Sequence, residues 1–517
     1  MVERGELGGS EQAAQGLTTK HTKNRNHEER EASLDSPKEF FVSFVVLFVS
    51  FVVVFSSPAL AQDPPKVTGT LSNITRVESW SFFQPRPPAA PDQLVGDPNY
   101  TFVGDRAELG VRVESPRFDV SGAFNYVRLE NLPTTAIGPG GLGTGAFYFA
   151  ATGVPYSYQL YLSELTLKIK ARDNRTSLTV GRMPFASGAE STAANPDLEL
   201  LKRERLHSRL IGNFEWSYYQ RRFDGVRLDI NRPRWHATAA VFVPTQGGFE
   251  ESTNLSMPKV QVATGSVTRL ASAHEWQVFT TFYRDRRGKA AVVDNTGAAD
   301  QPIDVTVSAF GASHARVTPT SGGELDTVFW GAAETGTWYG QPHRAASVVA
   351  EIGHRWTRVP GQPWLRAGYL WASGDGDPDD GRHGTFFQML PSSRNYALSS
   401  TYAQMNLSDA FLQAWFEPRG LKTRIEVHAL GLASAGDLWY QGSGATASSG
   451  RYFGFSGRAS GGQARLGTVL EGAVDVPIRT YWSVNGYAGT IWGGDVVKQN
   501  FSGTHLSFWY VENVIRF

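Results

Sequence analysis

The residues of this chain best suited to chemistry are arginines and carboxylates that return at every second position. Arg106, Glu108, Arg112 and Glu114 share one phase of residues 102–114, Arg227 and Asp229 share one phase of 216–230, Arg366 falls within 364–372, and Arg424 and Glu426 share one phase of 421–433. A period of two places side chains on one face of a β-strand. On the other face stand Ala107, Leu109, Val111 and Val113, then Val226, Leu228 and Ile230, then Leu365, Ala367 and Tyr369, then Leu421, Thr423, Ile425 and Val427. If the apolar face meets lipid, the charged face must look into a polar lumen, because a charge on the lipid side near the midplane costs about 2 to 4 kcal/mol. Inward guanidinium groups draw anions and grip carboxylates through paired hydrogen bonds, while acids such as Glu164 and Glu426 keep that grip weak enough for release. The same charges equally suit bracing between opposite walls. Arg128 and Arg182 join the candidate set, although Phe124, Tyr126, Leu178 and Val180 share their parity.

Other chemistry is thinly supplied. Asp375, Asp377, Asp379 and Asp380 lie in an Asp-x-Asp-x-Asp-Asp-Gly loop whose alternate carboxylates suit a hard cation such as calcium. The loop lacks the distant bidentate Glu of a helix-loop-helix site and is stiffened by Pro378, so residues 375–381 also read as a solvated loop. The run Gly138 to Gly145 (GPGGLGTG) lacks the Lys and hydroxyl residue of a phosphate-binding loop and reads as a flexible external loop. There is no Gly-x-Ser-x-Gly elbow, no His-Glu-x-x-His and no cysteine, and nothing sets a serine nucleophile against His207 or His428. No enzyme and no cofactor are expected.

Strands must position the charged phases. The last thirteen residues, His505 to Phe517, put Trp509, Val511, Ile515 and Phe517 on one phase and Tyr510, Glu512 and Arg516 on the other, and the chain stops on an aromatic. Only Asn513 breaks the apolar row. A closing strand of an outer-membrane β-barrel has this form, as does the edge of a soluble sandwich. Near the other end, Phe40 to Phe55 contains only Phe, Val, Leu and two Ser, followed by Pro58 and Ala59-Leu60-Ala61. That is the apolar core and cleavage site of an export signal, shorter than the roughly 20 residues a spanning helix needs. Residues 1–37 read as polar upstream sequence from a start placed too early, 38–61 as the signal, and 62–517 as one barrel.

The 456 residues after Ala61 contain no run of 18 apolar residues, which excludes a helical membrane protein. They carry 43 basic and 41 acidic side chains, a near balance that argues against a nucleic acid partner. The absence of cysteine suits an exported chain. Arginines outnumber lysines 35 to 8 among those basic residues. GC-rich codon usage accounts for most of that ratio, so their placement matters more than their number.

Short polar turns alternate with long Gly-rich or polar loops, the rhythm of a barrel with short periplasmic turns and long external loops. From the front, strands are read at 75–83, 102–114, 118–130, 158–171, 176–184, 216–230, 235–243 and 275–286. From the back they are read at 505–517, 480–492, 466–476, 421–433, 401–416, 364–372, 346–358, 325–338 and 303–318. With Phe517 in the periplasm, the two series both run downward where they meet, so one strand is missing between them. Lys289 to Asp294 (KAAVVD) is the best place for it. The expectation is an all-β, antiparallel, up-and-down transmembrane β-barrel of about 18 strands, with 185–215 and 244–274 as external loops.

Several segments resemble the alginate-export family of outer-membrane barrels: Arg76, Glu78 and Trp80; Val180-Gly181-Arg182; Phe223 to Asp229 (FDGVRLD); and Ala372 to Pro391 followed by Tyr396. The resemblance implies an eighteen-stranded, monomeric channel in the bacterial outer membrane. It further implies passive passage of an anionic polysaccharide or other anionic solute, with periplasmic secretion partners. Cargo varies within such a family, so a general or nutrient-uptake porin, or a structural or adhesive barrel closed by its loops, stays open beside it.

Overall fold

Alternation turns eighteen segments into strands, and each pairs antiparallel with its neighbour until the last returns to the first. The computed structural model describes residues 65–86, 96–136, 142–297, 300–392, 401–442, 453–455 and 457–517. Residues 1–37, read above as upstream sequence, 38–61, read as an export signal, the first part of the glycine-rich run and Tyr396 lie outside the described residues. The strands are β1 Lys66–Ser81, β2 Asn99–Glu114, β3 Phe118–Glu130, β4 Ser157–Lys170, β5 Thr176–Met183, β6 Phe223–Arg232, β7 Trp235–Pro244, β8 Val260–Leu270 and β9 His274–Asp285. They continue as β10 Val305–Pro319, β11 Glu324–Trp338, β12 Gln341–Arg355, β13 Trp364–Ala372, β14 Leu407–Phe416 and β15 Lys422–Gly431. A two-residue pair, β16 Trp439–Tyr440 and β17 Gly457–Arg458, stands apart from the wall, which resumes with β18 Arg465–Arg479, β19 Trp482–Gly493 and β20 His505–Arg516.

Closure places β1 against β20 from Ser72↔Arg516 to Ser81↔Ser507, and Phe517 exchanges backbone hydrogen bonds with Leu71. A closed sheet leaves no strand edge unpaired, which is what lipid demands of a spanning β-structure. On β20 the outward Trp509 and Val511 are 44% and 49% exposed, whereas Leu506, Phe508, Glu512 and Val514 are buried within. Asn513, the break in the apolar row, accepts a 2.7 Å hydrogen bond from the indole of Trp482. Beside it Tyr481 stacks on Phe517, so this end carries an aromatic belt of the kind found at membrane interfaces. Among the described residues no helix is long and apolar enough to cross a membrane.

The strand number agrees with the sequence, but the missing strand lies elsewhere. It is β8, inside the stretch expected to be an external loop at 244–274, and Lys289–Asp294 belongs to the connection 286–304. In β8 the apolar residues change phase: Val260 and Val262 are buried inside, while Ala263, Gly265 and Val267 alternate with the inward Thr264, Ser266 and Thr268. No single apolar stripe runs through it, so period-two counting passes over it. The apolar run in KAAVVD instead makes isolated bridges, Lys289 to Pro302 and Val292 to Gly454. The consequence is that β9 runs upward, 271–273 is a periplasmic turn and only 245–259 is an external loop.

Two long external connections turn inward. Residues 184–222 hold a helix, Pro196–Arg205, which is α2 after α1 at Thr144–Thr152 and before α3 at Asp495–Asn500. Asn195 caps α2 by accepting from the backbone N–H groups of Asp197 and Leu198, Pro196 opens the first turn, acids follow, and Lys202, Arg203 and Arg205 occupy the last turn. Each of these complements the unpaired ends and dipole of a helix. Leu198 and Leu201 are buried, and Lys202 reaches Glu275 on β9 at 2.6 Å. The strand read at 216–230 begins only at Phe223, because 216–222 remain inside with this connection. The second connection, 373–406, meets it: Gly212 N–H donates to Leu390 O at 2.7 Å and Leu390 N–H donates to Leu210 O at 2.8 Å.

The end of the glycine-rich run is also drawn in rather than free outside. Thr144 opens α1 and its hydroxyl donates to buried Glu78. Gly143, at φ 93°, has no room for a side chain, since a Cβ there would lie 2.4 Å from the hydroxyl of Tyr100.

Candidate functional site in the arginine-lined lumen

Two groups of arginines line the lumen. The first lies at the seam. Arg76 on β1 donates from Nε to Glu512 on β20 at 2.8 Å, sits 3.8 Å from Glu78, and stacks within 5.1 Å of the rings of Trp216, Tyr218 and Tyr510. Arg106 on β2 donates to the carbonyls of Glu215 and Ser217, and Arg222 donates to Ser163 O and Gln220 while standing 3.7 Å from Glu108. Arg76, Arg106, Arg222 and Arg516 bound a cavity of about 480 Å³ with Glu108, Glu215 and Glu512, between the inserted 184–222 segment and the wall. Four guanidinium groups and three carboxylates line it, with Glu78 behind Arg76, so the lining itself carries a small cationic excess.

The second group surrounds Glu351 on β12. Arg205, from the last turn of α2, holds it with Nε at 2.8 Å and Nη2 at 3.0 Å, Arg366 of β13 donates at 3.2 Å, and Arg209 lies 3.6 Å away. Arg366 also donates to Asp326 of β11 at 2.7 Å. Three cations thus meet two anions, all buried. Removing charges from water is compensated here by forked, charge-assisted hydrogen bonds.

The remaining expected residues divide between the two faces. Arg227 is paired with Asp229 at 2.8 Å, and Asp229 also accepts from Thr238; Arg424 binds Glu426, which also accepts from Gln413. Arg112 faces Glu114 and Asp119 near the periplasmic end, and Glu164 lies half-buried on the inner side. The β-bulge opposite Ala123 and Phe124 reverses the phase of β4 at Ser163 and brings Glu164 inward with Thr166.

Arg128 and Arg182 are not lumen residues. Arg128 shares the outer phase of Tyr126, is exposed, and pairs with Glu130. Arg182 lies on the outer phase of Leu178 and Val180, where it grips Asp224 with Nε and Nη2 at 2.7 and 2.8 Å and donates to the carbonyl of Asn254. Both sit at extracellular strand ends, where lipid gives way to headgroups and a paired charge is tolerated.

Asp375 is buried and accepts from the backbone N–H groups of Asp377 and Gly384; Asp377 and Asp380 accept from those of Asp379 and Arg382. Among the described residues no three of these loop carboxylates bring oxygens within 4.8 Å of one another. Burial raises Asp437, whose carboxylate accepts from the N–H of Asp375 and from Thr385 and ties this loop to the next one.

Strand periodicity passes over Arg205, Arg209 and Arg222, which come from a connection. The available signal was Asn195-Pro196-Asp197 followed by Lys202-Arg203-Glu204-Arg205, a capped helix with a cationic end inside a long loop.

The alginate export family model matches residues 159–510, most of the wall and both inserted connections. The chain belongs to the alginate export family. No curated protein sequence matches it. Among solved structures it resembles OccAB1 of Acinetobacter baumannii, with a TM-score of 0.54 at 9% identity over 87% of this chain and 96% of that one. It also resembles OccK2 (OpdF) of Pseudomonas aeruginosa, with a TM-score of 0.53 at 10% identity over 87% and 98%; OccK2 has also been solved in complex with glucuronate. A third is OpdK of Pseudomonas aeruginosa with vanillate, at a TM-score of 0.51, 8% identity, and coverage of 87% and 98%. With the closed eighteen-stranded wall, family membership makes this alginate-export protein an outer-membrane β-barrel channel.

Proposed function

We propose that the channel passes anionic, carboxylate-bearing solutes by passive diffusion, as an anionic polysaccharide or as small sugar acids. The observation that carries this reading is the cavity bounded by Arg76, Arg106, Arg222 and Arg516 against three glutamates. Its cationic excess is small, which favours attraction without retention. Paired guanidinium donors suit the planar carboxylate of a uronate better than an alcohol or an amine. The protein acts as a monomer in outer-membrane lipid, and an exported polymer would reach it from periplasmic secretion partners. Calcium at 375–381 would serve only to stiffen the external loop.

The hydrogen-bonded meeting of 184–222 with 373–406 across the lumen gives weight to the second reading, uptake of small acids, because a bridged lumen admits a monomer more readily than a polymer. Planar-bilayer recordings of the folded chain separate these ideas. Anion-selective reversal potentials with block by uronate oligomers support polymer passage; anion selectivity with block by monomeric glucuronate alone supports uptake. Cation selectivity with no block by any carboxylate overturns the proposal, and the absence of conductance supports a structural barrel closed by its loops.

A further inference from the structure

Glu426 and Glu471 stand directly opposite each other in the register of β15 and β18, and both are buried. Like charges in that relation repel, and at this depth water does little to separate them. His428 follows Glu426 by two residues and so shares its inward face; its Nε2 lies 3.1 Å from Glu426 Oε2. Among the described residues this is the one trio of such side chains whose ligand atoms all lie within 4.8 Å of one another.

The atoms behind the trio are held as well. Asp409 on β14 takes the other ring nitrogen of His428, Nδ1, at 3.0 Å. Oε1 of Glu426 accepts from Gln413 and Arg424, which leaves Oε2 toward the histidine. Tyr487 on β19 donates to Oε2 of Glu471 at 3.0 Å. Each of the three residues is therefore held by a neighbouring strand, and one ligand atom of each lies within 4.8 Å of the other two. A carboxylate behind a histidine sets its tautomer and raises its basicity toward a metal, and hydrogen-bonded carboxylates behave alike.

We propose that Glu426, His428 and Glu471 form a binding site for a divalent transition-metal ion of the zinc class on the inner wall. One imidazole nitrogen and two carboxylate oxygens suit zinc better than calcium, which prefers oxygen alone. A tetrahedral ion with bonds of about 2.0–2.2 Å sets its donors roughly 3.4 Å apart. The 3.1 Å between His428 Nε2 and Glu426 Oε2, a hydrogen bond here, needs to open only slightly for an ion to take the place of its proton, and Glu471 brings a third donor within 4.8 Å of both. The ion offsets the facing carboxylates, beside the Arg424 guanidinium that already contacts Glu426, and ties β15 to β18. This site is independent of the cargo assigned to the channel.

The test measures bound metal. The full chain, folded in detergent micelles, is incubated with Zn²⁺, dialysed and assayed for metal by mass spectrometry. One equivalent per chain is expected, with affinity falling on the order of tenfold or more in His428→Gln and in Glu471→Gln, and about 10- to 100-fold in Asp409→Asn. His343→Gln, remote from the trio, keeps full occupancy. Because substitutions in the wall can prevent folding, Co²⁺ is also added to the unaltered chain. A visible d–d absorption band displaced stoichiometrically by Zn²⁺ supports the site. Zinc at background level, equal affinity in the folded His428 and Glu471 variants, or a Co²⁺ spectrum matching the free ion overturns it.

Discussion

Arg76 and Glu512 face each other across the line where the barrel closes, one on the first strand and one on the last, with Nε 2.8 Å from Oε2 and both side chains buried. The pair makes the final β1–β20 register a charged contact as well as a backbone one. Truncating Arg76 to Ala strands the carboxylates of Glu512 and Glu78 inside the wall, which costs about 3–5 kcal/mol for a buried pair. The expected outcome is a markedly lower temperature at which the folded band disappears in heat-modifiability gels. Arg76→Ala together with Glu512→Gln recovers part of the loss. Equal melting of the single variant and the unaltered chain would show the seam to be held by backbone pairing alone.

The legible part of this structure is the part with an unbroken period of two. Ala107 to Val113, Val226 to Ile230 and Leu365 to Tyr369 read directly as outward rows, and Arg106, Arg227 and Arg366 lie on the opposite phase; Trp509 to Phe517 reads so apart from Asn513. Where the period slips, sequence reasoning slips with it. In β8 the apolar residues change phase in mid-strand, so alternation does not mark it, and without it β9 takes the opposite direction. Arg128 and Arg182 carry charge on the apolar parity, a conflict settled by depth in the membrane rather than by alternation. Arg205 and Arg222 belong to a connection, and nothing local states that a connection will turn inward.

Glu351 is the acceptor for Arg205 and Arg366 and the near neighbour of Arg209. Glu351→Gln keeps the shape and removes one negative charge, so the lumen gains a net positive charge near α2. Reversal potentials in a salt gradient are expected to shift toward anions, and the shift shrinks at high salt because the Debye length falls to about 3 Å at 1 M. The thermal midpoint falls in parallel, since three guanidinium groups lose their common partner. An unchanged reversal potential would place this group off the ion path.

His207, just beyond α2, is held down to about 4 by burial first and by Lys202 and Arg203 next. A histidine depressed below its ordinary value near 6.5 contributes stability above that value, and the contribution disappears as pH falls from 6.5 through 4. The full effect is at most about 3 kcal/mol. Thermal midpoints should therefore decline between pH 7 and pH 4, and His207→Gln should flatten that part of the profile. A variant with the same slope would assign the acid sensitivity to other groups.

Arg182 offers the opposite test from a lumen arginine. Its partners Asp224 and Asn254 tie the end of β5 to β6 and to the external loop 245–259. Arg182→Gln is expected to leave ion selectivity unchanged while exposing that loop to faster proteolysis. Any change in reversal potential would return Arg182 to the cargo path.

Whether the bridge between 184–222 and 373–406 limits the channel can be read from Gly212. Its N–H donates to Leu390 O, and a Cβ at this position would fall 2.3 Å from the hydroxyl of Ser392 and 2.8 Å from its backbone nitrogen. Gly212→Val must therefore push the second connection away from the first, at about 1–3 kcal/mol for an overpacked site. The wall takes no part in that contact, so the barrel should still form and run as a folded band. Single-channel conductance is expected to rise and the size limit for uronate oligomers to increase, because the two segments no longer meet across the lumen. Conductance equal to that of the unaltered chain, with the folded band retained, would mean that ions pass beside the bridge and that the arginine cavity, rather than the loops, sets the narrowest point.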